Sequence, residues 1–241
     1  MPQNESTAFQ RFRNRLEQEK QTLQILDASL ISAHQVAKSN TGPLASALGY
    51  DQNKYDQLHV PSGEGKRIIT QAKNANYRAA LISLYSIWSH YMRDILGLMY
   101  QVSPHQVSQK AHGEIKFSEI INLGSYEAIQ QRIIDHVFRG LENEQSTKKL
   151  LDKIIKHTKI SLSQSLKINA LAYLEIRHLL VHANGYIDEK YKKSYGGIVT
   201  CETGKKLKMK WSIVDSAFGK VEELCREIDR LLITGGYING R

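Results

Sequence analysis

The segment EIRHLLVHANGYID, residues 175–188, places polar side chains inside an otherwise apolar run of leucine and valine. Arg177, His178 and His182 interrupt that run, where an unpaired charge would be costly to bury. Histidine exchanges protons near neutral pH, and the planar fork of arginine fits two oxygens of an anion. The segment is therefore either a satisfied polar network inside the fold or a site for metal, proton or anion chemistry.

A helix through this segment would be apolar on two sides. Successive side chains lie 100° apart, so Glu175, His178 and His182 fall within about 60° of one another and form a narrow polar stripe. One interpretation is a buried hydrogen-bond ladder, in which Glu175 pairs with a histidine whose ring also bonds a backbone carbonyl. Arg177 and His182 point about 140° apart, so one helix does not obviously aim both at a single group.

A zinc site is the second interpretation, because His178 and His182 are one helical turn apart, as are the histidines of the HExxH motif. Leu179 occupies the position of the glutamate that acts as general base in that motif. No cluster of His, Cys or Asp elsewhere in the sequence resembles a third ligand. We therefore expect neither a bound metal nor another cofactor.

Length and composition narrow the class of protein. The chain has 241 residues, of which 41% are hydrophobic and 24% charged, enough for one large domain or two small ones with a substantial core. No segment is apolar enough to cross a membrane, and the polar start lacks the apolar region of a secretory signal, so we expect a cytoplasmic protein. The two cysteines, Cys201 and Cys225, are far apart and have no CxxC spacing, so we expect neither a disulfide nor a zinc site from them. A net charge of +9 favours a polyanionic partner such as nucleic acid.

The apolar spacing predicts a mainly α-helical protein with one small β-hairpin. An amphipathic helix over residues 1–38 would pack on the bundle or on a dimer partner, and residues 39–66 are expected to form a loop. Residues 67–241 would form the main helical domain, whose aromatic-rich core helix runs on from Tyr77. Further helices are predicted near residues 117–123, 126–138, 147–157 and 163–183, followed by a hairpin at about 196–211 and a last helix at about 214–233.

Arg177 and His182 form an R-x4-H motif, and RHLLVHANGYID resembles the motif region of the HEPN superfamily. This superfamily consists of compact helical-bundle proteins, many of which are metal-independent ribonucleases in microbial toxin and antiphage systems. The segment RAALISLYSIWSHYMRDIL also resembles their long aromatic-rich second helix. Two positions depart from the pattern. Ser89 follows the tryptophan where relatives often carry an acidic residue, and Asn184 stands where some toxins carry a tyrosine.

The resemblance implies a HEPN-like helical bundle that cuts RNA by attack of its own 2′-hydroxyl. It assigns Arg177 to the phosphate and His182 to proton transfer. His178 would be a second proton carrier or an orienting group, and Glu175 would supply acidic support. The resemblance also implies a homodimer that brings two motifs into one cleft, and it allows an antitoxin or another defence-system protein as a further partner.

Basic residues would bind the RNA backbone. The candidate binding residues are Lys149, Lys153, Lys156, Asn184, Lys190, Lys192 and Lys193, with Lys205, Lys206, Lys208 and Lys210 from the hairpin. The alternative for each lysine cluster is an ordinary solvated surface. Two other functions stay open: a non-catalytic HEPN-like module that binds RNA or a protein, which Ser89 favours, and a structural protein that oligomerises through its N-terminal helix.

Overall fold

A computed structural model describes residues 4–39, 42–51, 53–102, 115–142, 147–158 and 160–240. Most of these residues are helical, which confirms the predicted mainly α class. In chain order the helices are α1 (Thr7–Ser39), α2 (Leu44–Ala47), a 3-10 turn (Asp56–Leu58), α3 (Ser62–Val102), α4 (Phe117–Leu123), α5 (Tyr126–Glu142), α6 (Thr147–Thr158), α7 (Gln164–Leu174), α8 (Ile176–His182), α9 (Glu189–Tyr195) and α10 (Trp211–Thr234).

The two longest helices, α1 and α3, form an antiparallel pair. Arg11 pairs with Asp94 near one end, and the hydroxyl of Tyr77 donates to the carboxylate of Asp27 at 2.6 Å towards the other. Between these contacts the ring of Phe12 lies 5.2 Å from the ring of Tyr91. Within the described residues, no helix is both long and apolar enough to cross a membrane.

The last helix, α10, closes the core against α1, α3 and α7. Tyr91 is fully buried and donates its hydroxyl to the carbonyl of Cys225 at 2.9 Å. Ser6 caps α1 by accepting the N–H of Phe9 at 3.1 Å. Its own N–H and hydroxyl donate to the buried carboxylate of Asp229, and burial raises the pKa of that carboxyl. One carboxylate thus ties the start of the first helix to the last helix.

Two boundaries differ from the sequence-based expectation. The helix expected over residues 163–183 is divided at Glu175 into α7 and α8. The carbonyl of Glu175 accepts from His178 N–H at 3.1 Å and from Leu179 N–H at 3.5 Å, so the regular α-helical bonding tightens into a turn there. Helix α3 begins at Ser62, so the last residues of the segment 39–66 are helical rather than loop.

The predicted hairpin at about 196–211 is not formed. Ile198 and Val199 donate their N–H groups back to the carbonyl of Tyr195 and form a turn instead of a strand. The segment around Lys206 does pair, but with the stretch that follows α8: Ile187 N–H donates to Lys205, and Leu207 N–H donates to Gly185. The prediction was wrong about the partner, because Ile198 and Val199 are held in a turn, whereas Tyr186 forms a bridge with Lys206.

We expect Asp229→Ala to lower the free energy of unfolding by about 2–4 kcal/mol, because two buried donors of Ser6 would lose their acceptor. Urea unfolding followed by circular dichroism measures this change. Asp215→Ala is the matched control, since Asp215 is exposed on the same helix and its loss should change stability by no more than about 0.5 kcal/mol. Equal effects of the two substitutions would contradict the tie between Ser6 and Asp229.

Candidate functional site: helix α8 against helix α3

Helix α8 carries the R-x4-H segment and lies against α3, which contacts it near both ends. The guanidinium carbon of Arg177 lies 5.1 Å from the ring centroid of Tyr85, a cation–π distance. Seven residues later, the carbonyl of Asn184 accepts a hydrogen bond from Nη2 of Arg78 at 3.0 Å. Residue numbers therefore rise in opposite directions along the two helices, and α8 is antiparallel to α3.

The end of α8 is defined by a backbone turn at Asn184 and Gly185. These residues have φ of 50° and 80°, in the left-handed region that asparagine and glycine tolerate best. Gly185 N–H donates to the carbonyl of Leu179 at 2.8 Å and Ala183 N–H donates to the same carbonyl at 3.0 Å. This is the stop that the Asn-Gly pair predicts. The backbone of Asn184 thus has a structural task, whereas its candidate role in substrate binding stays a prediction.

His178 and His182 are both exposed, and their ring centroids are 4.9 Å apart. Neither ring forms a hydrogen bond or an ion pair with another described residue. The buried ladder that would link Glu175 to a histidine is therefore not formed. Two neighbouring imidazoles face outward instead, where they can reach a bound molecule.

The carboxylate of Glu175 lies close enough to helix α9 to influence two of its tyrosines. Its charge, added to the larger effect of burial, helps to raise the pKa of Tyr191, and with Asp152 it helps to raise the pKa of Tyr195 to about 12. Oε1 of Glu175 is buried and has no hydrogen-bond partner among the described residues. The predicted stripe of Glu175, His178 and His182 is therefore split, because the chain turns at Glu175.

Arg177 is half-buried against α3 and keeps its charge unpaired. Within the described residues no carboxylate forms an ion pair with it. Ser89 lies one turn along α3 from Tyr85, the residue on whose ring Arg177 rests, and its side chain carries no charge. A guanidinium in this state is available to an anionic ligand.

The candidate binding lysines do not all lie near α8. Lys190, Lys192 and Lys193 are exposed on α9, although Lys192 donates to the carbonyl of Cys201 at 2.7 Å. Lys149 is exposed on α6, which packs against α5 and α7. The side chains of Lys153 and Lys156 lie outside the described residues.

Lys206 is the basic residue that the structure brings to the segment following α8. Its ammonium lies 5.1 Å from the ring centroid of Tyr186, which is 48% exposed. An isolated β-bridge joins the same two residues through their backbones. Although no hairpin forms, the lysine-rich stretch 205–210 is therefore paired with Tyr186, which follows His182 by four residues in the chain.

Sequence analysis missed the roles of Tyr85 and Arg78. Both lie on α3 and are seven residues apart, which puts them on one face of the helix, about 10 Å from each other along its axis. That spacing was visible in the sequence. The helix that this face meets was not, because contacts between α3 and α8 join residues about a hundred positions apart.

Comparisons with known proteins found no relative: no family model matches the chain, and neither a curated protein nor a solved structure matches it. Among the described residues, no group of three or more His, Cys, Asp or Glu side chains is placed to hold a metal ion. The chemistry therefore has to be argued from the residues at α8. Two exposed imidazoles beside an unpaired guanidinium can bind a phosphate and transfer protons.

We expect Gly185→Ala to destabilise the protein more than Gly204→Ala. Both glycines have a positive φ, of 80° and 75°, so alanine is strained at either position by roughly 1 kcal/mol. At Gly185 the new methyl group would also lie 2.8 Å from Nη2 of Arg78 and displace it, whereas at Gly204 it would meet nothing within 4 Å. Equal losses in urea unfolding would show that the contact between Arg78 and the turn contributes nothing.

Proposed function

We propose that the protein is a metal-independent endoribonuclease of the HEPN type, with a role in microbial toxin or antiphage defence. The observation that supports this best is the arrangement at α8, where His178 and His182 are exposed side by side and Arg177 is held on Tyr85 without a carboxylate partner. The resemblance of the surrounding segment to the HEPN motif supplies the reaction.

The reaction uses a nucleophile that the substrate carries. A histidine removes the proton of the 2′-hydroxyl, whose oxygen attacks the adjacent phosphorus, and the bond from phosphorus to the 5′-oxygen breaks. A second acid protonates the departing 5′-oxygen, so the products end in a 2′,3′-cyclic phosphate and a 5′-hydroxyl. Arg177 would stabilise the charge that develops on the phosphate oxygens. Metal is not required, and buried Leu179 stands where a zinc enzyme of the HExxH type needs its glutamate.

The positions of the two histidines indicate that one chain cannot supply both the base and the acid of the reaction. Attacking and leaving oxygens stand on opposite sides of the phosphorus, so base and acid must approach from opposite directions. His178 and His182 lie on the same side of α8 with ring centroids only 4.9 Å apart, which leaves no room for a phosphate between them. In our proposal His182 transfers the proton and His178 orients His182. The opposing histidine comes from a second copy of the chain.

The surface around α8 suits such a dimer. Val181 is 47% exposed beside His182, and Ile82 is 40% exposed on α3 between the two residues that contact α8. Exposed branched apolar side chains next to a polar site are what an interface covers. A two-fold axis close to Val181 would bring the two histidine pairs face to face.

Binding without cleavage is the second candidate function. The observation that favours it is the neutral neighbourhood of Arg177, where Ser89 replaces the acidic residue frequent in HEPN relatives. A module of this kind would use Arg177 and the nearby lysines for RNA, or the exposed apolar residues for a protein. It predicts RNA affinity with no products.

The first test compares cleavage by wild type, His182→Ala and His90→Ala in the presence of EDTA. His90 is an exposed histidine of α3 and serves as the matched control. Since proton transfer contributes about 10²- to 10⁴-fold to a rate, we expect His182→Ala to lose cleavage by that factor while RNA binding is retained. Mass spectrometry should find 2′,3′-cyclic phosphate ends on the wild-type products.

Two results would contradict the nuclease proposal. If wild-type protein binds RNA but cuts nothing, the protein is a binding module. If EDTA abolishes cleavage and zinc or manganese restores it, His178 and His182 act as metal ligands instead.

The second test addresses the dimer. We expect wild type to be dimeric by light scattering at micromolar concentration, and a variant with Ile82→Glu and Val181→Glu to be monomeric, because two charges would be buried without partners. Ile25→Glu with Ile31→Glu is the control, since both residues are exposed on α1. If the variant with Ile25→Glu and Ile31→Glu is monomeric and the variant with Ile82→Glu and Val181→Glu is dimeric, the protein assembles through α1. That result would favour a structural protein that oligomerises through its N-terminal helix.

A further inference from the structure

The arginines of this protein divide into two groups. Seven of them form ion pairs with carboxylates. Among the arginines whose side chains the structure describes, Arg15, Arg78 and Arg177 form none. Arg15 is exposed on α1, whereas Arg78 and Arg177 are half-buried where α3 meets α8 and the turn that follows it. Unpaired guanidinium groups are therefore concentrated at the proposed site.

Arg78 uses few of its donors. Its guanidinium has five N–H groups, and in the described part of the chain it makes one hydrogen bond, from Nη2 to the carbonyl of Asn184. That carbonyl is two residues past His182, so the remaining donors of Arg78 lie at the histidine end of α8. Partial burial removes water from the donors of a cation, and this costs free energy. A bound anion can compensate for that cost by accepting the unused hydrogen bonds.

The two unpaired arginines are too far apart to share one phosphate. Arg78 and the platform of Arg177, Tyr85, are seven residues apart on α3, or about 10 Å along its axis. Arg78 and Tyr85 lie on the same face of α3, so the two cations lie along one line parallel to that helix. Two cations at this separation suit two different phosphates of one extended strand that are not direct neighbours.

We propose that Arg78 is a second phosphate-binding residue of the α8 site. It holds a different phosphate from the one that Arg177 contacts, in a single-stranded RNA that runs along α3. This inference rests on the proposed function for the identity of the ligand, and it adds a residue outside the R-x4-H motif. The competing explanation is that Arg78 only caps the C-terminal end of α8, where a cation is favoured by the helix dipole.

The test measures binding of a single-stranded 2′-O-methyl oligonucleotide, which cannot be cleaved because its 2′-oxygen is blocked. Fluorescence anisotropy at several salt concentrations gives the slope of log affinity against log salt. The slope is negative, and loss of one phosphate contact to a single strand reduces its magnitude by about 0.7. We expect Arg78→Gln to lower it by this amount. Arg15→Gln, which removes the same charge from another unpaired arginine, should leave the slope unchanged.

Arg78→Lys separates phosphate binding from folding. Lysine keeps the charge but lacks the planar fork, so we expect the wild-type salt slope with affinity reduced by up to about 10-fold. If Arg78→Gln fails to fold, Arg78→Lys decides alone, and wild-type affinity in that variant overturns the proposal. So does an Arg78→Gln slope equal to that of wild type, or a wild-type protein that binds no oligonucleotide at low salt.

These outcomes are independent of the nuclease proposal. Wild-type cleavage of RNA with an unchanged slope in Arg78→Gln would reject the role of Arg78 and keep the nuclease. The predicted slope change without cleavage of unmodified RNA would keep the phosphate site and reject the nuclease.

Discussion

The antiparallel contact between α3 and α8 is the constraint on which the candidate site depends. Tyr85 holds Arg177 at one end of α8, and Arg78 holds the turn after His182 at the other. These two contacts, together with buried Ile176 and Leu179, oppose rotation of α8 about its axis and favour the orientation in which the histidines point away from the core. The remaining elements support this pair: α1 and α10 cover the other sides of α3, and α7 leads the chain into α8.

This constraint explains why arginine and histidine occur in an apolar segment. The apolar residues of α8, such as Ile176 and Leu179, are buried in the core, whereas Arg177 lies at the edge of the contact with α3. Its aliphatic stem and planar head tolerate partial burial on an aromatic ring, as few other charged groups do. Within the described part of the chain, Arg177, His178 and His182 therefore take part in no internal hydrogen-bond network. They are available to a ligand, which is what catalysis or RNA binding requires.

Sequence patterns predicted the helices well and their contacts poorly. Apolar spacing is local information, so α1 and α10 were found near their observed positions, and Asn184-Gly185 marked the end of α8. The core helix α3 was recognised from Tyr77 onward, although it begins at Ser62. Tyr85 and Arg78 were missed as partners of α8 because tertiary packing selects which face of α3 it meets. The hairpin failed for a related reason: the apolar pattern of residues 198 and 199 resembles a strand, but it does not show that Lys206 pairs with Tyr186 instead. The separation of the Glu175 carboxylate from the two histidines depends on the turn at Glu175, which helical periodicity does not predict.

In the proposed function one catalytic site uses histidines from two copies of the chain, and a subunit-mixing experiment tests this proposal most directly. Wild type and His182→Ala would be co-expressed with different tags at equal levels, and the total cleavage rate measured at fixed protein. A shared site requires two intact subunits, so activity should fall to about one quarter of the wild-type value at equal mixing. A fall to about one half would show that each chain has its own complete site, and would contradict the account.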